Sequence, residues 1–192
     1  MAFSKRSKRR GFLTQGVLGL PFFALAQAQG PTQTAPGKKV LSGEDRLGEH
    51  HPIGASGSVG DFKVSGGDTQ GGLFVFENKY TRKGGPPRHL HQNEDEWFYV
   101  LEGNFLAEVD GKQSRLGPGD SLLIPRRHVH AYAFVGEGMG RILVAFSPAG
   151  KLEQYFSAFK DQNGPPPQWD DQAEKERELA YGFEFVGPPL AI

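Results

Sequence analysis

Between Phe62 and Phe146 the chain is a succession of short β-prone runs cut by glycine and proline. Phe62-Lys63-Val64 and Leu73-Phe74-Val75-Phe76 are punctuated by Gly66-Gly67 and Gly71-Gly72, and Phe105-Leu106-Ala107-Glu108-Val109 turns through Asp110-Gly111, a two-residue hairpin signal. Glu96 to Leu101, Ser121 to Ile124, Val129 to Val135 and Arg141 to Phe146 supply further strands, with Pro125-Arg126-Arg127 and Gly136-Glu137-Gly138 between the later ones. Many short strands at this spacing predict an antiparallel barrel or sandwich. With 192 residues, of which 37% are hydrophobic, the chain has room for one such domain with tails.

Inside this pattern lies a set of residues with metal-ligand chemistry. His89 and His91 are two apart, so on a strand both rings point to the same face and one ion can join them. Glu96 opens the next strand after a polar turn, and His130 must come from another strand. Three neutral imidazoles and a carboxylate, with no thiolate, suit one divalent transition metal ion, Fe, Mn, Ni, Co, Cu or Zn. At a five- or six-coordinate ion, four protein ligands leave one or two positions for water, substrate or dioxygen, the layout of a catalytic site. Glu96 lies in the acidic run Glu94-Asp95-Glu96, where spacing favours it over Glu94; His128, in the turn after Pro125, reads as exposed or supporting rather than as a fifth ligand.

The order Gly84, His89, His91, Glu96, Gly103, answered by Gly119, Pro125 and His130, resembles the two motifs of the cupin superfamily. Gly84 stands one residue from its usual place, Arg127 stands where the family usually has a glycine, and Phe134 where an asparagine is often found; none of these removes a ligand. The resemblance covers roughly residues 58 to 148. It implies an all-β fold, the cupin double-stranded β-helix or jelly-roll barrel, here with one or two C-terminal α-helices. The strand Glu96-Trp97-Phe98-Tyr99-Val100-Leu101-Glu102-Gly103 is similar to the quercetin-dioxygenase-like group. By that resemblance the expected activity is a metal-dependent dioxygenase of a flavonol-like or other enolisable aromatic compound. His89, His91, Glu96 and His130 would hold the ion, and Glu96 would serve as catalytic base. Two alternatives stay open: a non-redox cupin enzyme (sugar isomerase or epimerase, or decarboxylase) and a non-catalytic small-molecule-binding cupin.

Strand parity suggests what lies beside the ion. Tyr132 and Phe134 follow His130 on its face, Phe98 follows Glu96, and Phe74 and Phe76 share a face of their own strand. An aromatic substrate pocket is expected from these five, although barrel interiors are apolar whether or not they bind anything.

The ends of the chain differ from the middle. Ser7-Lys8-Arg9-Arg10-Gly11-Phe12-Leu13-Thr14 looks like a twin-arginine export signal, followed by an apolar run from Val17 to Ala26 that contains Pro21 and small-residue cleavage sites. Residues 1–27 are read as that signal and 28–45 as a flexible leader, with the barrel over 46–148 and a helical extension and tail over 149–192. The expected location is periplasmic or secreted, with no membrane anchor after cleavage. The first 26 residues carry five of the 22 basic residues and no acid, so their removal leaves 17 basic against 22 acidic residues. Nucleic acid is therefore not an expected partner. With no cysteine there is neither a disulfide nor a thiol-linked lipid. Ser147-Pro148 reads as a helix start, and Leu152, Tyr155, Phe156 and Phe159 recur at helical spacing; Asp170 to Leu179 reads as a second, exposed helix. The apolar ending after Gly182 is expected to lie against the barrel or a second subunit, and by analogy with cupins the chain is expected to form a homodimer.

Overall fold

Eleven strands run through the computed structural model of the chain, which describes Met1 and residues 36–53, 58–158 and 170–192. The export signal beyond Met1, residues 28–35 of the leader and Phe159 lie outside these residues. In chain order the strands are β1 (His51–Ile53), β2 (Ser58–Val64), β3 (Phe74–Tyr80), β4 (Pro87–His91), β5 (Asp95–Glu102), β6 (Phe105–Val109), β7 (Lys112–Leu116), β8 (Ser121–Ile124), β9 (His130–Phe134), β10 (Gly140–Ser147) and β11 (Phe183–Pro189). They form two antiparallel sheets, ordered β1-β2-β3-β10-β5-β8 and β11-β4-β9-β6-β7. The fold is an all-β jelly-roll barrel of the cupin type with two helices near its C-terminal end. Among the described residues no helix is long and apolar enough to cross a membrane.

Alternation decides which face of each strand is buried. In β5, Glu96, Phe98 and Val100 are buried while Trp97, Tyr99 and Leu101 are only partly so. The inward faces meet in one aromatic core, where Phe62, Phe74, Phe76, Phe98, Phe105, Phe134 and Phe146 are all closed off from solvent. Each such ring contributes about 1.5–3 kcal/mol by leaving water. The β6–β7 hairpin turns at Asp110 (φ 49°) and Gly111 (φ 78°), the pair of positive angles that suits a two-residue turn to the twist of its strands.

Gly85 is required by close approach. A Cβ there would lie 1.7 Å from the Tyr132 carbonyl oxygen, because the chain entering β4 crosses directly over β9. Gly85→Ala must separate the two segments, and a loss of about 1–3 kcal/mol is expected. The urea midpoint of the variant against the parent measures it; an unchanged midpoint would show that the two segments part freely.

The C-terminal region departs from expectation in two places. Ser147 is the last residue of β10, paired with Asp95, and the first helix, α1 (Leu152–Ala158), begins five residues later. Strand pairing holds the backbone extended where the Ser-Pro signal alone predicts a helix. The second helix, α2 (Gln172–Tyr181), starts as expected: Asp171 caps it by accepting from Glu174 N at 2.9 Å, and Gly182 ends it in the left-handed region (φ 91°). The segment after Gly182 is a strand rather than a tail. β11 pairs with β4, so that Phe183 faces His91 and Phe185 faces His89. Pro188 and Pro189 cannot donate to a further neighbour, which fits the position of β11 at the sheet edge.

Candidate metal centre

The ligand candidates are brought together from both sheets. Within β4 the burial pattern alternates, so Pro87, His89 and His91 turn inward while Arg88 turns out to meet Glu108, Nε to Oε1 at 2.6 Å. His89 stands opposite His130 of β9 in the same sheet, and Glu96 enters from β5 in the facing sheet. One ligand atom from each of the four side chains can be chosen so that all lie within 4.8 Å of one another. The four are 6%, 3%, 2% and 1% exposed in the order His89, His91, Glu96, His130, which makes this an internal site.

The tautomers follow from hydrogen bonding. His89 Nδ1 lies 2.9 Å from Pro87 O, and His130 Nδ1 lies 2.9 Å from His128 O. A carbonyl only accepts, so both Nδ1 atoms carry the proton, and in the neutral ring the lone pair is left on Nε2, facing the cluster. Glu96 Oε2 lies 2.5 Å from His130 Nε2, 3.2 Å from His91 Nε2 and 4.0 Å from His89 Nε2. Nδ1 of His91 is buried without a hydrogen-bond partner. An orphaned buried nitrogen, two preset Nε2 donors and a carboxylate at their focus are what a divalent ion would satisfy, so the residues fit one.

Electrostatics couple the four. Burial opposes charge on Glu96, but the imidazoles of His130 and His91 outweigh it and hold the carboxyl well below its ordinary value. His130 moves the other way: burial lowers it, while the charge and hydrogen bond of Glu96 raise it above the ordinary 6.5. His89 is pushed well below 6.5, first by burial and then by His130 and His91, and so is held neutral as a metal ligand requires.

Of the five aromatic pocket candidates, Phe98 stands next to a ligand, with ring centroids 6.4 Å from His130. Tyr132 packs on Phe98 at 4.6 Å, and its hydroxyl joins Asn78 and Tyr80 at 3.3 and 3.1 Å; burial pushes the phenol up to about 12. Phe74 and Phe76 pack with Phe62, Phe146 and Phe156, and Phe134 packs with Phe105 and Tyr80 against Gly103 and Gly140. Parity turns these rings inward, into the aromatic core. The rings that cover the histidines are others: Phe146 lies 5.0 Å and Phe183 6.0 Å from His91, and Phe185 lies 6.0 Å from His89. Sequence reasoning passed over these three. Their signals were the alternation Ile142, Val144, Phe146 and the spacing of two between the phenylalanines after Gly182. His128 is exposed on its ring, which meets Asp110 at 2.5 Å, and it serves His130 through its main-chain carbonyl.

Residues 79–146 match the family model described as "Cupin domain". That stretch runs from the end of β3 to near the end of β10 and contains all four ligand candidates, which supports the cupin superfamily. The chain is 34% identical over 94 residues to "Quercetin 2,3-dioxygenase" of Bacillus subtilis (strain 168), covering 49% of this chain and 27% of that protein. It is 36% identical over 75 residues to "Epoxidase atD" of Aspergillus terreus, covering 38% and 23%. The chain thus spans about a quarter of the length of these curated relatives. Among solved structures, KdgF from Halomonas sp. superposes with a TM-score of 0.50 at 22% identity, covering 59% of this chain and 94% of that one, a likeness of cupin fold.

Proposed function

We propose that the protein is an exported, homodimeric, metal-dependent cupin dioxygenase acting on a flavonol-like or other enolisable aromatic compound. The observation that carries this reading is the convergence of His89, His91, His130 and Glu96 on one buried point, with Nε2 of His89 and of His130 already preset as donors. Partial identity to a quercetin dioxygenase points to the reaction class. A bound divalent ion would supply a Lewis-acid centre at which a substrate hydroxyl loses its proton more readily. The chain supplies the rest. The three imidazoles would hold the ion, and the Glu96 carboxylate, buried at their focus, would accept the hydroxyl proton. The rings of Phe146, Phe183 and Phe185 keep the surroundings apolar and water away from the acid–base step.

The test uses mature protein recovered from the periplasm of its host and loaded with each candidate metal. It should elute as a dimer and consume dioxygen when given a flavonol, and chelator-stripped protein should not. Turnover of an added substrate without dioxygen would overturn the dioxygenase reading in favour of non-redox chemistry. Retention in the cytoplasm or elution as a monomer would remove the export or the dimer part alone.

A further inference from the structure

The three imidazoles are not held alike. His89 and His130 each place Nδ1 2.9 Å from a backbone carbonyl, whereas Nδ1 of His91 is buried with no partner. An imidazole ligand without an outer acceptor is neither fixed in its tautomer nor made a stronger donor. Near His91 lies a carboxylate with the opposite lack. Glu94 is 2% exposed, takes the backbone N–H of Asn93 at 3.3 Å and its own, and makes no ion pair among the described residues.

The surroundings of Glu94 are shaped around its carboxylate. It lines a groove of about 480 Å³ where the β4–β5 turn, the loop from β10 to α1 and the turn from α2 to β11 meet. A Cβ on Gly150 would lie 1.9 Å from Glu94 Oε1, and one on Gly182 would lie 3.7 Å from it. Gly182 leads directly into Phe183, which stands opposite His91, and Gln92 N donates to Gly182 O at 2.8 Å. The carboxylate therefore lies against the segment that covers His91 and within electrostatic reach of that ring.

We infer that Glu94 is the positioning residue of His91: when the ion is bound, its carboxylate accepts the Nδ1–H of His91 and fixes Nε2 as the ligand atom. This rests on the reading that His89, His91, Glu96 and His130 hold a divalent ion. A dication balanced only by Glu96 leaves one positive charge in a buried site, and Glu94 cancels it. In the metal-free chain the same carboxylate is buried with no ion-pair partner among the described residues, which costs stability. The two costs offset each other only when metal is present.

The probe is Co²⁺, titrated into the full chain and followed by its visible band and by competition with a chelator. Glu94→Ala should weaken Co²⁺ binding about 10–100-fold and shift the band. Glu94→Gln, whose amide oxygen accepts the same N–H without the charge, should fall between. Gly150→Ala should reproduce the loss with Glu94 still present, because the added methyl occupies the carboxylate's place. The thermal midpoint of metal-free Glu94→Ala should equal or exceed that of the parent, which a merely structural carboxylate would not allow. Parent-like affinity and band in both Glu94 variants would overturn the assignment, as would a lowered metal-free midpoint with affinity unchanged. Failure of the parent itself to bind Co²⁺ would instead remove the metal reading, and this inference with it.

Discussion

Replacing Glu96 by glutamine is expected to leave most of the metal in place and to lower flavonol turnover about 10²–10⁴-fold, the usual worth of a positioned general base. The two side chains have the same shape, and three imidazoles from one sheet still converge, so the site keeps its donors. What disappears is the negative charge. Glu96 is the one carboxylate of the group, and it is held ionised, against burial, by His130 and His91. Glutamine cannot take a hydroxyl proton at any working pH, so the loss should be in kcat and should persist across the pH profile. Dioxygen uptake together with elemental analysis of the same sample makes the measurement. Full turnover in Glu96→Gln would remove the proposed base; loss of metal in step with activity would make Glu96 a ligand and nothing more.

Most of the barrel was legible because its strands obey local rules. β2, β3, β5, β6, β8, β9 and β10 fall on runs that alternate or are β-branched and aromatic, and the Asp110-Gly111 turn forms where its dipeptide predicts. The two His-rich motifs could be read for the same reason, since residues two apart on a strand share a face whatever the rest of the fold does. What escaped was set by tertiary contact. β11 contains Gly187, Pro188 and Pro189, poor strand formers, and becomes a strand because β4 offers it an unpaired edge. Ser147-Pro148 looks like a helix start, but Ser147 ends β10, because Asp95 pairs with it. Strand parity could turn Phe74, Phe76 and Phe134 inward without saying that other rings already fill the space in front of them.

These misses bear on function. The histidines are covered by Phe183 and Phe185 from the last strand, so the surroundings of the candidate metal centre depend on a segment about 90 residues downstream of the His-x-His pair. Motif spacing could identify ligands. It could not identify what shields them, because a shield is chosen by packing rather than by chemistry.

His130→Ala is expected to destabilise the metal-free protein by about 3–5 kcal/mol, the cost of leaving one partner of a buried ion pair uncompensated. His130 and Glu96 are 1% and 2% exposed and meet at 2.5 Å, so without the imidazole the carboxylate has lost its nearest cation in a place water does not reach. The dependence on pH has a definite sign. Glu96 is lowered in the fold, so its contribution is present above the ordinary 4.5 and is lost as pH falls through the folded value. His130 is raised, so its contribution is full below the ordinary 6.5 and is lost as pH rises through the folded value. Both contributions are present together between about pH 4.5 and 6.5, and the difference between parent and variant should be largest there. Neutral His89 works against the parent in the same window, since its lowered value means that the unfolded chain gains a proton the fold excludes. His130→Ala removes one cause of that lowering, so part of this cost is relieved in the variant and the difference is reduced by that part. Urea denaturation of chelator-treated protein at about pH 5.5 and about pH 9, inside and above that window, measures this directly. Adding Glu96→Gln to His130→Ala should recover much of the loss by removing the stranded charge. A difference that grows toward alkaline pH, or a double variant no more stable than His130→Ala alone, would show that the imidazole fills space there and does not balance the charge of Glu96.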